Sequence, residues 1–189
     1  MEKKNLIRKS AIKVIARNGF HNANVKSIAD EAGVAVGTVY LYFRNKEDIL
    51  DYIFCVENKK RADFVNDLYE KGEAFEEVLE HFLDFHFECF KNDLDSVKVL
   101  YKEVITVDSF KDQQAQFYMD SVYEAFVKIL KRDQLKGELK SGQDIGILAT
   151  SIIFFLRIYS YNILSQEEAV DYDYLKRNLS EFILHGIKG

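Results

Sequence analysis

Proline is absent from all 189 residues of this chain. A proline inside a helix deletes a backbone hydrogen bond and clashes with the preceding turn, so a chain without it can run long helices unbroken. Only nine residues are glycine, and runs of Ala, Leu, Ile, Glu and Lys supply good helix formers. The expected fold class is all-α. With 48% of residues hydrophobic, the chain can bury a substantial core rather than stay disordered.

Apolar spacing divides the sequence into about nine helices. Leu6, Ile7, Ala11, Val14 and Ile15 form a stripe over 4–18 that Asn18-Gly19 stops. Asn24 is the expected N-cap of a second helix that turns Val25, Ile28, Ala29 and Ala32 inward and ends at Gly33. A short third helix is expected from Val36 to Phe43, with Val39, Tyr40 and Phe43 spaced to pack inward. Asn45 then caps a long helix over 46–71, whose first-turn Glu47 and Asp48 suit the helix dipole. Further helices are expected at 73–91, 94–107, 111–135, 144–165 and 171–187. The breaks between them fall at Asn92-Asp93, Asp108-Ser109, Gly137 to Gly142 and Gln166 to Val170.

Charge is distributed unevenly along this layout. Overall it is −5, yet residues up to Lys46 hold nine basic against three acidic side chains, a balance of +6 that leaves −11 for the rest. A basic head on an acidic body concentrates attraction for polyanions at one end. The basic N-terminus leads into no uninterrupted apolar run, so it does not read as a signal peptide. Cys55 and Cys89 match no zinc or redox spacing and read as reduced core thiols of a cytoplasmic protein. The stretch Ile145–Leu164 has the length of a membrane span, but an arginine near its centre costs roughly 2.5–3.5 kcal/mol in lipid. A helix in a protein core or subunit seam is the expectation, with no membrane partner.

Residues 25–48 read VKSIADEAGVAVGTVYLYFRNKED. Two short helices joined by an Ala-Gly-Val turn make a helix-turn-helix: the glycine permits a sharp angle, and the flanking apolar residues lock the pair. This run, extended to Leu50 and preceded by ARNGF, resembles the DNA-binding signature of TetR-family regulators. The strong likeness covers about the first 55 residues. Within the family it is most similar to the fatty-acid-degradation repressors that respond to acyl-CoA.

The resemblance implies operator DNA as a partner and a division at 1–45 for the DNA-binding domain and 46–189 for ligand binding and dimerisation. The candidate DNA contacts are Lys26, Ser27, Val36, Gly37, Thr38, Tyr40, Tyr42 and Lys46. Gly37 weakens a short helix by roughly 1 kcal/mol against Ala, so close approach to a phosphate or base edge is its better explanation. Thr38 offers a hydroxyl to a phosphate and a methyl to thymine. The tyrosine hydroxyls reach phosphates in the family pattern, and Lys46 stands where a helix N-terminus already favours anions. Family members often carry Ser or Thr where Ala35 stands, and Ala cannot cap with its side chain. Val36 cannot hydrogen-bond a base, which shifts readout toward apolar contacts and DNA shape.

Beyond residue 74 aromatics accumulate. Phe82, Phe85, Tyr101, Tyr123, Phe126 and Phe154, with Arg157, are the candidate ligand contacts, although any one of the aromatics can equally be core. Phe117 and Tyr118 belong to the same aromatic set. Arg157 reads either as a structural bridge to Glu103 or Asp108 or as the partner of an anionic ligand head. Ile152, Phe155, Tyr159 and Ile163 with Leu175, Leu179, Phe182 and Ile183 form apolar stripes suited to a four-helix seam of a homodimer. His81, Asp84 and His86 do not share the spacing of a metal site, and nothing calls for a cofactor. No catalytic triad, phosphate loop or paired carboxylates point to an enzyme. The expected function is a ligand-responsive transcription regulator, a repressor released from a near-palindromic operator by a small apolar ligand such as a fatty acyl compound. The alternative is a helix-turn-helix regulator controlled through a protein partner.

Overall fold

The helix boundaries follow from local chemistry. In a computed structural model describing residues 2–103, 113–139, 142–166 and 170–187 (the side chains of 113–120 and 187 apart), helix α1 spans Glu2–Asn18 and α2 spans Val25–Ala32. Gly19 closes α1 at φ 75° and donates its N–H to Ile15 O at 2.8 Å. The α2 N-terminus is a capping box: Asn24 Oδ1 accepts from Ser27 N at 2.8 Å, and Ser27 Oγ accepts from Asn24 N at 3.2 Å. Gly33 ends α2 in the left-handed region at φ 65°, which only glycine adopts cheaply.

Helix α3 is shorter than its sequence pattern, covering Val36–Tyr40, with Ala35 making no side-chain cap. Helix α4, Lys46–Glu70, starts where Asn45 Oδ1 accepts from Asp48 N at 2.8 Å. Asp48 in turn accepts from Arg44 N at 3.0 Å, and that bond is the main cause of a carboxyl pKa below its ordinary value. Helices α5 (Phe75–Asn92) and α6 (Leu94–Lys98) follow, and α6 runs on as a π-helical turn over Val99–Glu103. The remaining helices are α7 (Gln113–Leu135), α8 (Ile145–Ser165) and α9 (Tyr172–Ile187). These nine α-helices and the π turn make the described residues all-α. The expected helix end near 107, the break at Asp108-Ser109 and the start at 111 lie outside the described residues, as do Asp108 and the Phe117 and Tyr118 side chains.

The chain forms two compact units. The first comprises the described residues of 1–58 and 93–118, the second those of 59–92 and 119–189. Helix α4 thus gives its first half to one unit and its second half to the other, and α6 joins the N-terminal helices, where the sequence pattern placed a cut at 45/46. The first unit is centred on Ile7, Ile15, Ile28, Val39, Ile49 and Ile53, all fully buried. The second is built on Val65, Leu79, Leu83, Phe126, Ile129 and Leu130.

Candidate functional site

In the first unit, Val39 and Phe43 stand four residues apart and are both buried, anchoring α3 to the core. Val36 and Tyr40, four residues apart, form the next row round the helix, about 60° from the buried one. Tyr40, expected to pack inward, is 55% exposed for that reason. Lys26, Val36, Tyr40 and Lys46 meet around an open cleft of about 720 Å³ with His21 and Asn24. Gly37 and Tyr42 are exposed beside it, and Thr38 is half-buried.

Two of the candidate DNA contacts already hold structural bonds. Ser27 Oγ also donates to Asn24 O at 2.8 Å, so its proton is committed to the capping box. Lys46 Nζ donates to the carbonyls of Phe20, His21 and Ala23 at 3.0, 3.2 and 3.2 Å and lies 4.5 Å from the Phe20 ring centre. It fastens the 20–23 connection to the start of α4, so a phosphate has to share it or displace a carbonyl.

Sequence reasoning missed two features here. Arg8 donates to Glu57 Oε1 at 2.6 Å with both side chains buried, and its Nε donates to Asn5 Oδ1 at 3.0 Å. A helical stripe of apolar residues does not announce a buried ion pair. Leu41, 81% exposed immediately after α3, was the other. Its signal was present: in YLYF the buried member is Phe43, which leaves Leu41 to point elsewhere.

In the second unit the candidate ligand contacts separate. Phe126 is fully buried and meets Phe82 edge-on at 5.1 Å and Phe75 at 6.4 Å. Phe85 is half-buried and stacks on Phe64 at 4.7 Å. Tyr123 and Arg157 are half-buried, and Arg157 takes part in interactions of its own. Phe154 does not line this interior. It is 61% exposed, because the inward stripe of α8 runs through Ala149, Ile152, Leu156, Ser160 and Ile163. Tyr101 belongs to the first unit, packed against that unit's core.

Part of the expected seam is corrected: Ile152 and Ile163 of α8, with Leu179 and Ile183 of α9, are buried within the subunit. Phe155, Tyr159, Leu175, Leu179 and Phe182 come together around a groove of about 310 Å³ between α8 and α9. Phe155 and Phe182 meet edge-on at 5.4 Å, with Phe182 still 61% exposed. Helix α8 is long and apolar enough to cross a membrane, and only 28% of its most apolar window is buried.

Buried polar groups also gather in this unit. Ser160 Oγ gives its one proton to Leu156 O at 2.6 Å, so it accepts from His86 Nε2 at 2.9 Å and fixes the imidazole tautomer. Burial, then the charge of Arg61, pushes the His86 pKa down to about 3. Arg61 is itself buried, its guanidinium 5.9 Å from the Phe85 ring centre. Among the described residues no cluster of three His, Cys, Asp or Glu side chains could hold a metal.

Residues 7–53 match the TetR family of bacterial regulatory proteins. The chain is 35% identical over 149 residues to the fatty acid metabolism regulator protein of Bacillus subtilis (strain 168), which covers 77% of this chain and 74% of that relative. The chain belongs to the TetR family. It is a helix-turn-helix transcription regulator. Solved structures place the likeness along its whole length. The fatty acid degradation regulator FadR from Bacillus halodurans has a TM-score of 0.90 at 26% identity, covering 98% of this chain and 96% of its own. FadR from Bacillus subtilis, solved in complex with stearoyl-CoA, has a TM-score of 0.88 at 26% identity, covering 96% and 97%.

Proposed function

We propose that this TetR-family protein is a cytoplasmic, homodimeric repressor that leaves a near-palindromic operator when a long-chain acyl-CoA binds its second unit. The observation that carries the reading is the near full-length likeness to a FadR solved with stearoyl-CoA, which extends well past the DNA-binding motif. The α8–α9 groove supports a dimer. It collects large apolar side chains at the surface of the subunit, and a second copy would cover them as a four-helix seam. The same cover accounts for the apolar exposure of α8 without a membrane.

Two recognition helices of such a dimer meet successive major-groove faces roughly 34–36 Å apart. Helix α4 supplies the mechanical link, because its residues 46–58 belong to the first unit and 59–70 to the second. The Arg8–Glu57 pair ties α1 to that helix, so a displacement of α4 carries α1 with it. Ligand and operator affinities are then reciprocally coupled, typically by about 1–3 kcal/mol. Arg157 is the proposed partner of the anionic head, with Phe82, Phe85, Tyr123 and Phe126 as the proposed apolar surroundings.

Calorimetric titration with acyl-CoAs and free fatty acids of rising chain length tests the ligand. Affinity is expected to climb about fourfold per methylene until the site is full, following roughly 0.8 kcal/mol per buried CH₂. Absence of binding, or affinity indifferent to chain length, refutes the acyl reading.

A further inference from the structure

The recognition helix is unusual in what it lacks. From Val34 to Phe43 the sequence is VAVGTVYLYF, with no Arg, Lys, Asn, Gln, Asp or Glu. Those are the side chains that read guanine, adenine and cytosine edges by hydrogen bonding. With roughly 100° per residue, Val36, Tyr40, Gly37 and Leu41 fall in that order on one continuous arc of about 140°. Leu41 continues the helical backbone at φ −70° and ψ −22°, so the arc holds to its last member. Val39 faces the core on the other side and Thr38 stands on the flank. Exposure rises along the row, from Val36 at the margin to Leu41 at 81%. The arc carries one hydrogen-bonding group, the Tyr40 hydroxyl.

Gly37 sits in the middle of this arc. A Cβ placed there meets nothing within 4 Å, and its φ is not in the left-handed region. The folded chain itself therefore does not require glycine. What the glycine provides is bare backbone between the Val36–Tyr40 row and Leu41, which a small apolar group can approach closely.

We propose that this arc reads thymine through its C5-methyl group, with Leu41 as a specificity-determining residue and Gly37 leaving the seat for the methyl. The thymine methyl is the apolar feature that a base pair presents in the major groove, and it matches a surface without hydrogen-bonding side chains. The inference rests on the DNA-binding reading and deepens it by naming what the recognition helix recognises. Duplex DNA is the occupant favoured by charge: the first 46 residues carry +6, Arg44 stands exposed three residues after the arc, and exposed Lys26 lines the cleft with Val36 and Tyr40.

The test starts from a duplex enriched out of a random library by the full-length protein. That duplex is remade with deoxyuridine for thymidine, singly and throughout, which removes the methyl alone. Fluorescence anisotropy then gives affinities for the natural chain and for Leu41→Ala, whose exposed position leaves folding intact and whose far-UV circular dichroism confirms it. Uracil at a contacted position is expected to weaken the natural protein about fourfold, the size of one buried methylene. Leu41→Ala is expected to erase that sensitivity at one position while binding the all-uracil duplex as tightly as the natural protein does. Equal affinity for thymine and uracil duplexes overturns the inference, as does a Leu41→Ala protein that keeps every uracil penalty. If no duplex is enriched, the DNA reading fails, and the arc becomes a face for a protein partner.

Discussion

The two units of this regulator solve the same problem with different materials. Both have apolar cores, and the first adds directional polar bonds, most of them at its helix ends: the Asn24–Ser27 capping box, the Arg44–Asp48 and Asn45–Asp48 bonds opening α4, Lys46 on three carbonyls, and the buried Arg8–Glu57 pair. The second stacks aromatic rings over its core, as in the Phe75–Phe126–Phe82 contacts, and sets polar bonds inside it: His86 on Ser160, and Asp133 accepting from Phe75 N at 2.6 Å. Directional bonds fix a recognition helix in one pose, which base reading needs. Large apolar and aromatic side chains line sites for apolar ligands, which the proposed acyl site needs. Helix α4 gives residues to both units.

The comparison breaks most visibly at the Arg8–Glu57 pair. Arg8→Met leaves the buried carboxylate short of its guanidinium and is expected to cost about 3–5 kcal/mol in denaturant unfolding. Adding Glu57→Leu is expected to return most of that loss, since an apolar pair of similar volume replaces the charges. A single mutant as stable as the natural protein would show that the head does not depend on this bond. In the second unit, Phe126→Ala is expected to fall in the same range, about 3–5 kcal/mol, through the cavity it leaves. Phe154→Ala is expected to stay within about 0.5 kcal/mol in the monomer, as surface changes do. Similar costs at the two sites would contradict the inward stripe of α8.

In the second unit stability also depends on pH. The His86 pKa is lowered to about 3 from an ordinary value of 6.5, so between these values the unfolded chain binds a proton that the folded chain excludes. Stability is complete above pH 6.5 and falls as pH drops toward 3, by about tenfold in the folding equilibrium per unit. His86→Gln should flatten the unfolding midpoint across that window, and an unaltered slope would remove His86 from the account. The smallest expected effect is on α3, at the proposed DNA contact. Gly37→Ala is expected to raise stability by up to about 1 kcal/mol while weakening duplex binding. A variant that gains stability and binds DNA as before would leave the glycine without the role given it here.

How much of this was legible in the sequence also differs between the units. Asn24, Gly33 and Asn45 announce their turns because each satisfies a backbone requirement that few other residues meet, and the AGV…GTVY spacing does the rest. The boundaries that slipped did so where the cue was weak: α3 stops at Tyr40 because nothing in YLYF favours one ending over another. In the sensing half, periodicity identifies α8 as apolar on most of its circumference and so cannot say which side faces inward. Ile152 and Phe155 look equally suited to a seam, and only packing separates the buried one from the exposed one. Arg157 drew attention as a charge on an apolar helix, while Arg61, more deeply buried, was masked by the charged residues around it in α4.

In the proposed mechanism, ligand binding in the second unit releases DNA from the first. Its most direct measurement is the anisotropy of a labelled duplex, enriched by this protein from a random library, during titration with acyl-CoAs of increasing chain length. The account predicts release at ligand concentrations that fall about fourfold for each added methylene until the site is full. Release by long chains should also weaken when the Arg8–Glu57 pair is replaced by Met and Leu, because α1 is then less firmly tied to α4. A duplex that stays bound at every chain length, under conditions where calorimetry shows the acyl-CoA to be bound, would contradict it.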